Sequence, residues 1–298
     1  MKPCMHTIIA AGFLGAAISS AAAQQKVDIR RAASPTVSVR LGGAISRVKV
    51  LGSDVDSIVL IGALGAGSRI DGGALNVPGP VQGMKYFVDA PDEAGVRNNV
   101  FELRVPKGAR VWIKAGSADV EADGVTGGLD LNIVGGSVRV SGKPRELIVE
   151  SMDGSVTFAG TAGFARLKTA TGDITLDGGG EDLTLSTVSG GVRAAGGAIE
   201  RGRFESVTGP ITFAGDVARG GDLRFDTHSG ALDLRLARGA DAEIDAETVL
   251  GTIENTWTKT RPAVGREGRG MDLGISSGMG GARVSIRSFK GNVRLAPR

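Results

Sequence analysis

The chain has 298 residues, 48 of them glycine, with 4% aromatic residues, two histidines and a single cysteine. One cysteine excludes a disulfide scaffold and a zinc cluster, and glycine without a three-residue period excludes collagen. The net charge of +3 is too small for the concentrated basic face that nucleic acid requires.

Residues 1–23 open with Lys2, continue through an apolar run from Ile8 to Ile18, and end in Ser19-Ser20-Ala21-Ala22-Ala23. A positive start, a short hydrophobic run and an Ala-x-Ala site read as a secretory signal peptide cleaved after Ala23. The run is too short to cross a bilayer, and no later segment is longer, so no transmembrane span is expected. Cys4 precedes the run and so is not the lipid-modified residue that follows a lipoprotein signal. Removal of the segment leaves no cysteine, His228 as the only histidine, and a charge of 34 − 32 = +2. The expected address is exported: periplasmic, cell-surface or secreted.

Residues 24–108 read as an N-terminal β-rich opening or capping region. Val37, Val39 and Leu41 alternate with polar residues, as do Val48 and Val50, Ile58 and Leu60, and Phe101, Leu103 and Val105. Period-two alternation marks strands with one buried face.

Residues 109–298 repeat. Nine glycines, at positions 116, 136, 154, 172, 190, 209, 230, 251 and 291, each precede a short alternating apolar run. An apolar residue stands two places after the glycine from Val138 to Val293; the first repeat is out of register, with Val120 four places past Gly116. Each repeat holds two short strands, with the glycine at the bend. Such a unit cannot bury its own apolar face, whereas stacked units make a continuous core. The predicted fold is therefore all-β: a parallel β-helix or β-solenoid of about 18–21 residues per coil, right-handed by analogy with other parallel β-helices. Three places before the glycine stand Ser151, Thr169, Thr187, Ser206, Thr227, Thr248 and Ser288. They read either as a hydroxyl ladder between coils or as ordinary turn residues. An irregular insertion, about 256–281, interrupts the pattern.

Three stretches resemble a bacterial β-strand-repeat family of adhesin-like proteins of unknown function. They are Gly43-Ala44-Ile45-Ser46-Arg47-Val48-Lys49-Val50, Phe101-Glu102-Leu103-Arg104-Val105-Pro106-Lys107-Gly108-Ala109, and the recurring Thr-x-Ser/Thr-Gly-x-Val/Ile-x-Leu/Phe best seen from Thr169 to Leu176. The resemblance covers roughly 36–298. It implies an exported, adhesin-like or envelope-associated solenoid and brings no catalytic residue.

The residues themselves offer little catalytic chemistry. Gly274-Ile275-Ser276-Ser277-Gly278 fits a nucleophile-elbow pattern, but that elbow needs a following helix and a histidine. His228, beside Asp226 and Ser229, occupies a slot that elsewhere holds Val134, Met152 or Val188, and reads as a tolerated substitution at a semi-buried corner. Gly62–Gly67 and Gly178–Gly180 read as turns, since neither opens a helix. Asp54-Val55-Asp56 lacks the rest of a calcium loop. Asp226 and Asp233, with Asp245 and Glu254 one coil on, could supply a glycosidase pair if adjacent coils brought them together. The insertion is the strongest binding candidate: Trp257 with Lys259, Arg261, Arg266 and Arg269 could stack on a sugar or grip an anionic polymer. No metal or cofactor is expected. The leading reading is an exported non-enzymatic solenoid that binds or scaffolds an envelope or surface glycan, an anionic polymer or a protein. The alternatives are a polysaccharide-active enzyme using surface carboxylates, or a structural solenoid assembling through an open last coil, Val293 to Leu295.

Overall fold

The computed structural model describes residues 24–73, 80–265, 268–279 and 281–298; the expected signal segment and Arg266 lie outside the described residues. Residues 24–108 form β1 (Gln25–Gly43), β2 (Arg47–Ser53), β3 (Ser57–Leu64), β4 (Arg69–Gly73), β5 (Val81–Asp89), a one-turn helix α1 (Glu93–Arg97) and β6 (Val100–Pro106). The repeats form β7 (Arg110–Asp123), β8 (Gly128–Gly142), β9 (Glu146–Ser151), β10 (Ser155–Lys168), β11 (Ile174–Thr187), β12 (Val192–Ser206), β13 (Ile211–Thr227), β14 (Leu232–Leu236), β15 (Ala242–Thr248) and β16 (Ile253–Asn255). Then come β17 (Ala263–Val264), β18 (Met271–Ser277), β19 (Arg283–Ser288) and β20 (Val293–Pro297).

Alternation inside each strand dictates this architecture. In β15, Ala242, Ile244, Ala246 and Thr248 are buried while the residues between them face water. Coils then stack in parallel, in register: Val138, Val156, Ile174, Val192, Ile211 and Leu232 are successive partners. Their side chains fill one continuous core. Near its middle Phe204, Phe213 and Phe225 pack at ring separations of 4.8–5.6 Å. The all-β solenoid expected from the repeat is the observed fold.

The order of the coils differs from the order of the chain. β19 lies between β13 and β15, and β20 lies between β14 and β16. The last coil in sequence is thus inserted inside the stack, so Val293 to Leu295 is not the open end that assembly through a last coil requires. The same device operates at the other end, where the β1–β2 coil sits between the β7 coil and the β5–β6 coil. Outermost positions go to antiparallel strands: β3 against β1 and β6, β4 against β5, and β18 against β15 with β17 against β18. Parallel edges left open would invite pairing with other chains. The insertion around 256–281 is therefore largely an end hairpin.

The corner glycines are required by crowding more than by backbone conformation. Of the eight that stack, only Gly136 has positive φ, at 97°. A Cβ at Gly172, Gly190, Gly209, Gly230 or Gly291 would instead strike the carbonyl oxygen of the corner glycine in the coil beneath, far inside 3.0 Å. Gly116 is not one of this set, because Gly136 pairs with Ala118.

The buried hydroxyls beside these glycines act mainly within their own turn. Ser151, Thr187 and Thr227 accept from the backbone N–H of Gly154, Gly190 and Gly230 at 2.9–3.1 Å, and Thr248 and Ser288 donate to the carbonyls of Gly251 and Gly291. Only Thr169 and Thr187 bond to each other across coils, at 3.0 Å. Turn chemistry, not a ladder, explains the column.

Apart from the half-buried Ala170, the residues two places before the glycines are exposed, not semi-buried. Val134, Met152, Val188, Val207 and Phe289 are between 39% and 57% exposed, and His228, also exposed, stacks on Phe289 with ring centroids 4.9 Å apart. These residues form an apolar ridge along one corner of the solenoid.

Candidate functional site

The residues expected to bind in the insertion are not assembled for that task. Trp257 is buried at 8% exposure among the core side chains, and its indole N–H donates to the Ala237 carbonyl at 3.0 Å. The end of an apolar core has to be closed, and a ring with a satisfied polar atom closes it. Its faces are therefore not open to a sugar, and the stacking role does not fit this placement. Lys259, Arg261 and Arg269 are exposed, and among the described residues of the insertion Trp257 is the one aromatic ring.

The other candidates dissolve for topological reasons. Asp226 and Asp233 lie on different legs of their coil, one on β13 and the other on β14. β19 separates Asp226 from the strand that carries Asp245. Asp233 is held by Arg235 at 3.1 Å, and Glu254 faces Arg294 at 3.9 Å. Ser276 stands within β18 opposite Glu243, in extended strand rather than on a strand-to-helix elbow.

The arrangement that can receive a ligand lies at the other end of the molecule, on four adjacent strands in the order β5, β1, β7, β8. One outward row across them reads Lys85, Arg40, Trp112, Asp130; the next reads Phe87, Gly42, Lys114, Asn132. Together they line a groove of about 700 Å³. Trp112 is half-buried and Phe87 is 50% exposed. The Arg40 guanidinium lies 5.2 Å from the Trp112 ring centre, a cation–π contact that fixes the ring. Gly42 provides the notch between Phe87 and Lys114: a Cβ there would stand 3.3 Å from the Lys114 carbonyl oxygen and 3.9 Å from the Phe87 ring. Burial raises the pKa of Asp130, Glu150 and Glu146 add to the rise, and the Trp112 indole facing the carboxylate opposes it. Two aromatic surfaces, three cations and a carboxyl whose pKa burial raises make a site suited to a flat or ring-shaped, negatively charged ligand.

A sequence model of the Toastrack DUF4097 family matches residues 63–296. The chain belongs to that family. This Toastrack chain matches no curated protein. Two solved structures align with it over nearly their whole lengths. One is a candidate cell adhesion protein from Clostridium sporogenes, 7% identical, covering 93% of this chain and 99% of that one with a TM-score of 0.30. The other is a candidate adhesin from Bacteroides fragilis, 10% identical, covering 92% and 98% with a TM-score of 0.39. Arg40 and Gly42 lie upstream of the matched residues, so the groove of this Toastrack protein joins the family region to the strands before it. Among the described residues, no helix is long and apolar enough to cross a membrane.

Trp112 carried a signal in the sequence. It sits between Val111 and Ile113, both inward-facing, so alternation alone points it outward. Of the cations beside it, Lys114 is on the same strand, whereas Arg40 and Lys85 come from distant segments and could be joined to it only through the coil order.

Proposed function

We propose that this Toastrack protein is an exported, non-enzymatic, adhesin-like binding solenoid of the cell envelope, and that its N-terminal groove holds an acidic glycan. The groove itself carries the reading: Trp112 and Phe87 offer faces on which sugar rings stack, and Lys85, Arg40 and Lys114 surround them with positive charge. The composition of residues 1–23 supports export.

Binding of a uronic-acid polymer, measured by calorimetry beside its uncharged counterpart, tests the assignment. Trp112→Ala is expected to weaken binding of the acidic polymer at least tenfold, about 1.4 kcal/mol. Trp257→Phe, at the far end, is expected to lower thermal stability and leave affinity unchanged. Equal binding by the wild type and Trp112→Ala would remove the groove.

Asp130 adds a pH dependence whose sign is fixed. Its pKa is raised in the folded protein, so the groove sheds a negative charge as pH falls through that value. Affinity for a polyanion is expected to rise as pH falls through that raised pKa, and Asp130→Asn should flatten that response.

A further inference from the structure

We propose that the apolar ridge is a dimer interface on which a second copy of this chain docks antiparallel, ridge against ridge, about a two-fold axis between Val188 and Val207. This goes beyond the glycan groove, which the interface meets only at Asn132 and Val134, and it rests on separate observations.

The ridge is continuous through eight coils. Backbone hydrogen bonds run from coil to coil along it: Met152 N–H to the Val134 carbonyl, Ala170 to Met152, and Val188 to Ala170, then Lys290 to His228 and Leu250 to Phe289. At a coil spacing of about 4.8 Å it is roughly 34 Å long. Contiguous exposed apolar surface of that extent marks an interaction site. A two-fold contact has to be self-complementary, and this one is. Antiparallel pairing about the stated axis sets Val188 on Val207, Ala170 on His228, Met152 on Phe289 and Val134 on Val249. The smallest side chain of the ridge thus meets a ring.

Charge fixes the direction and the register. Two places before each ridge residue runs a polar row whose stacking is set by the strand pairings: Asn132, Glu150, Lys168 and Ser186 in one half, then Glu205, Asp226, Arg287 and Glu247 in the other. Under the two-fold, Lys168 meets Asp226 and Glu150 meets Arg287. On the other flank Asp153 meets Lys290. Asn132 faces Glu247 and Ser186 faces Glu205, so no like charges oppose each other in these two rows, the ones that flank the ridge directly. Sliding by one coil sets Glu150 against Asp226 or Glu247. Parallel pairing sets Glu150 against Asp153 and Arg287 against Lys290. Like-charge contacts select against wrong arrangements more strongly than attractive ones add affinity. None of Glu150, Lys168, Asp226 and Arg287 forms an ion pair with a described residue. By contrast, their neighbours Arg203 and Arg224 are paired within their own strands, to Glu205 and Asp222. The pairing leaves the two glycan grooves at opposite ends of the dimer.

Sedimentation equilibrium over a range of protein concentrations, with circular dichroism to confirm folding, tests the interface. The wild type is expected to form a concentration-dependent dimer, and Val188→Asp to remain monomeric. Lys168→Glu and Asp226→Lys should each raise the dissociation constant at least tenfold. The double variant Lys168→Glu/Asp226→Lys, which restores opposite charges across the axis, should return it to within about threefold of the wild type. A wild type that stays monomeric at every concentration, a dimer indifferent to Lys168→Glu, or a double variant no better than the singles would each overturn the proposal. Binding of another protein or of lipid vesicles to a monomeric ridge would overturn it as well.

Discussion

Deleting residues 283–298 is expected to unfold the last quarter of the solenoid, not shorten it by one coil. β19 and β20 occupy a slot between β13–β14 and β15–β16. Without them the flanking strands stand two spacings apart, about 9.6 Å, too far to hydrogen bond. Val284, Ile286, Val293 and Leu295, all at most 1% exposed, leave the core with the deletion. Burial of four such side chains contributes about 6–12 kcal/mol, comparable to the entire net stability of a domain. Hydrogen exchange read by mass spectrometry should show protection lost in β14, β15 and β16 and kept in β8 to β12. In a solenoid each coil contacts only its neighbours, so damage stays local. Retained protection in β15 and β16 would mean that the coil of Gly251 packs directly on that of Gly230, which is the arrangement chain order implies.

That contrast shows what a repeat sequence encodes. Val293, Ile253 and Leu232 hold the same slot and bury the same kind of side chain, so the pattern specifies that each is a coil residue without specifying its neighbours. The 40-residue gap between Gly251 and Gly291 was the available sign of irregularity, and it fits a hairpin at the end of the stack as well as an inserted loop. Trp257 misled for a related reason. It lies outside any alternating run, so periodicity says nothing about its burial, and only the need to close the core end accounts for it. Trp112, by contrast, was readable as outward-facing, and Arg40 and Lys85 as outward on their own strands. Their convergence on one groove depends on β1 lying between β5 and β7, a non-sequential order that alternation does not contain. The family resemblance located the fold correctly and was silent about the groove.

The corner glycines supply the sharpest test of register, because two substitutions of the same kind should have opposite effects. Gly209→Ala places a Cβ against the carbonyl oxygen and carbon of Gly190 and the carbonyl oxygen of Ser189. All three are backbone atoms of a coil that is hydrogen-bonded on both sides, so none can swing away as a side-chain end would. Relief requires coils to part at the corner, which breaks neighbouring parallel hydrogen bonds and loosens packing over Phe204, Phe213 and Phe225. A cost of at least about 3 kcal/mol follows from overpacking of this kind. Gly116→Ala is the counterpart. It carries the same sequence signature, a glycine before an alternating run, yet nothing lies within 4 Å of a Cβ built there, and its φ is not in the positive region. Alanine at that position restricts the unfolded chain without strain in the folded one, so stability should rise by about 0.4–1 kcal/mol. Urea titration of the two variants beside the wild type measures both effects. Equal destabilisation would return Gly116 to the corner set and move the first repeat out of the register that Ala118 and Gly136 define.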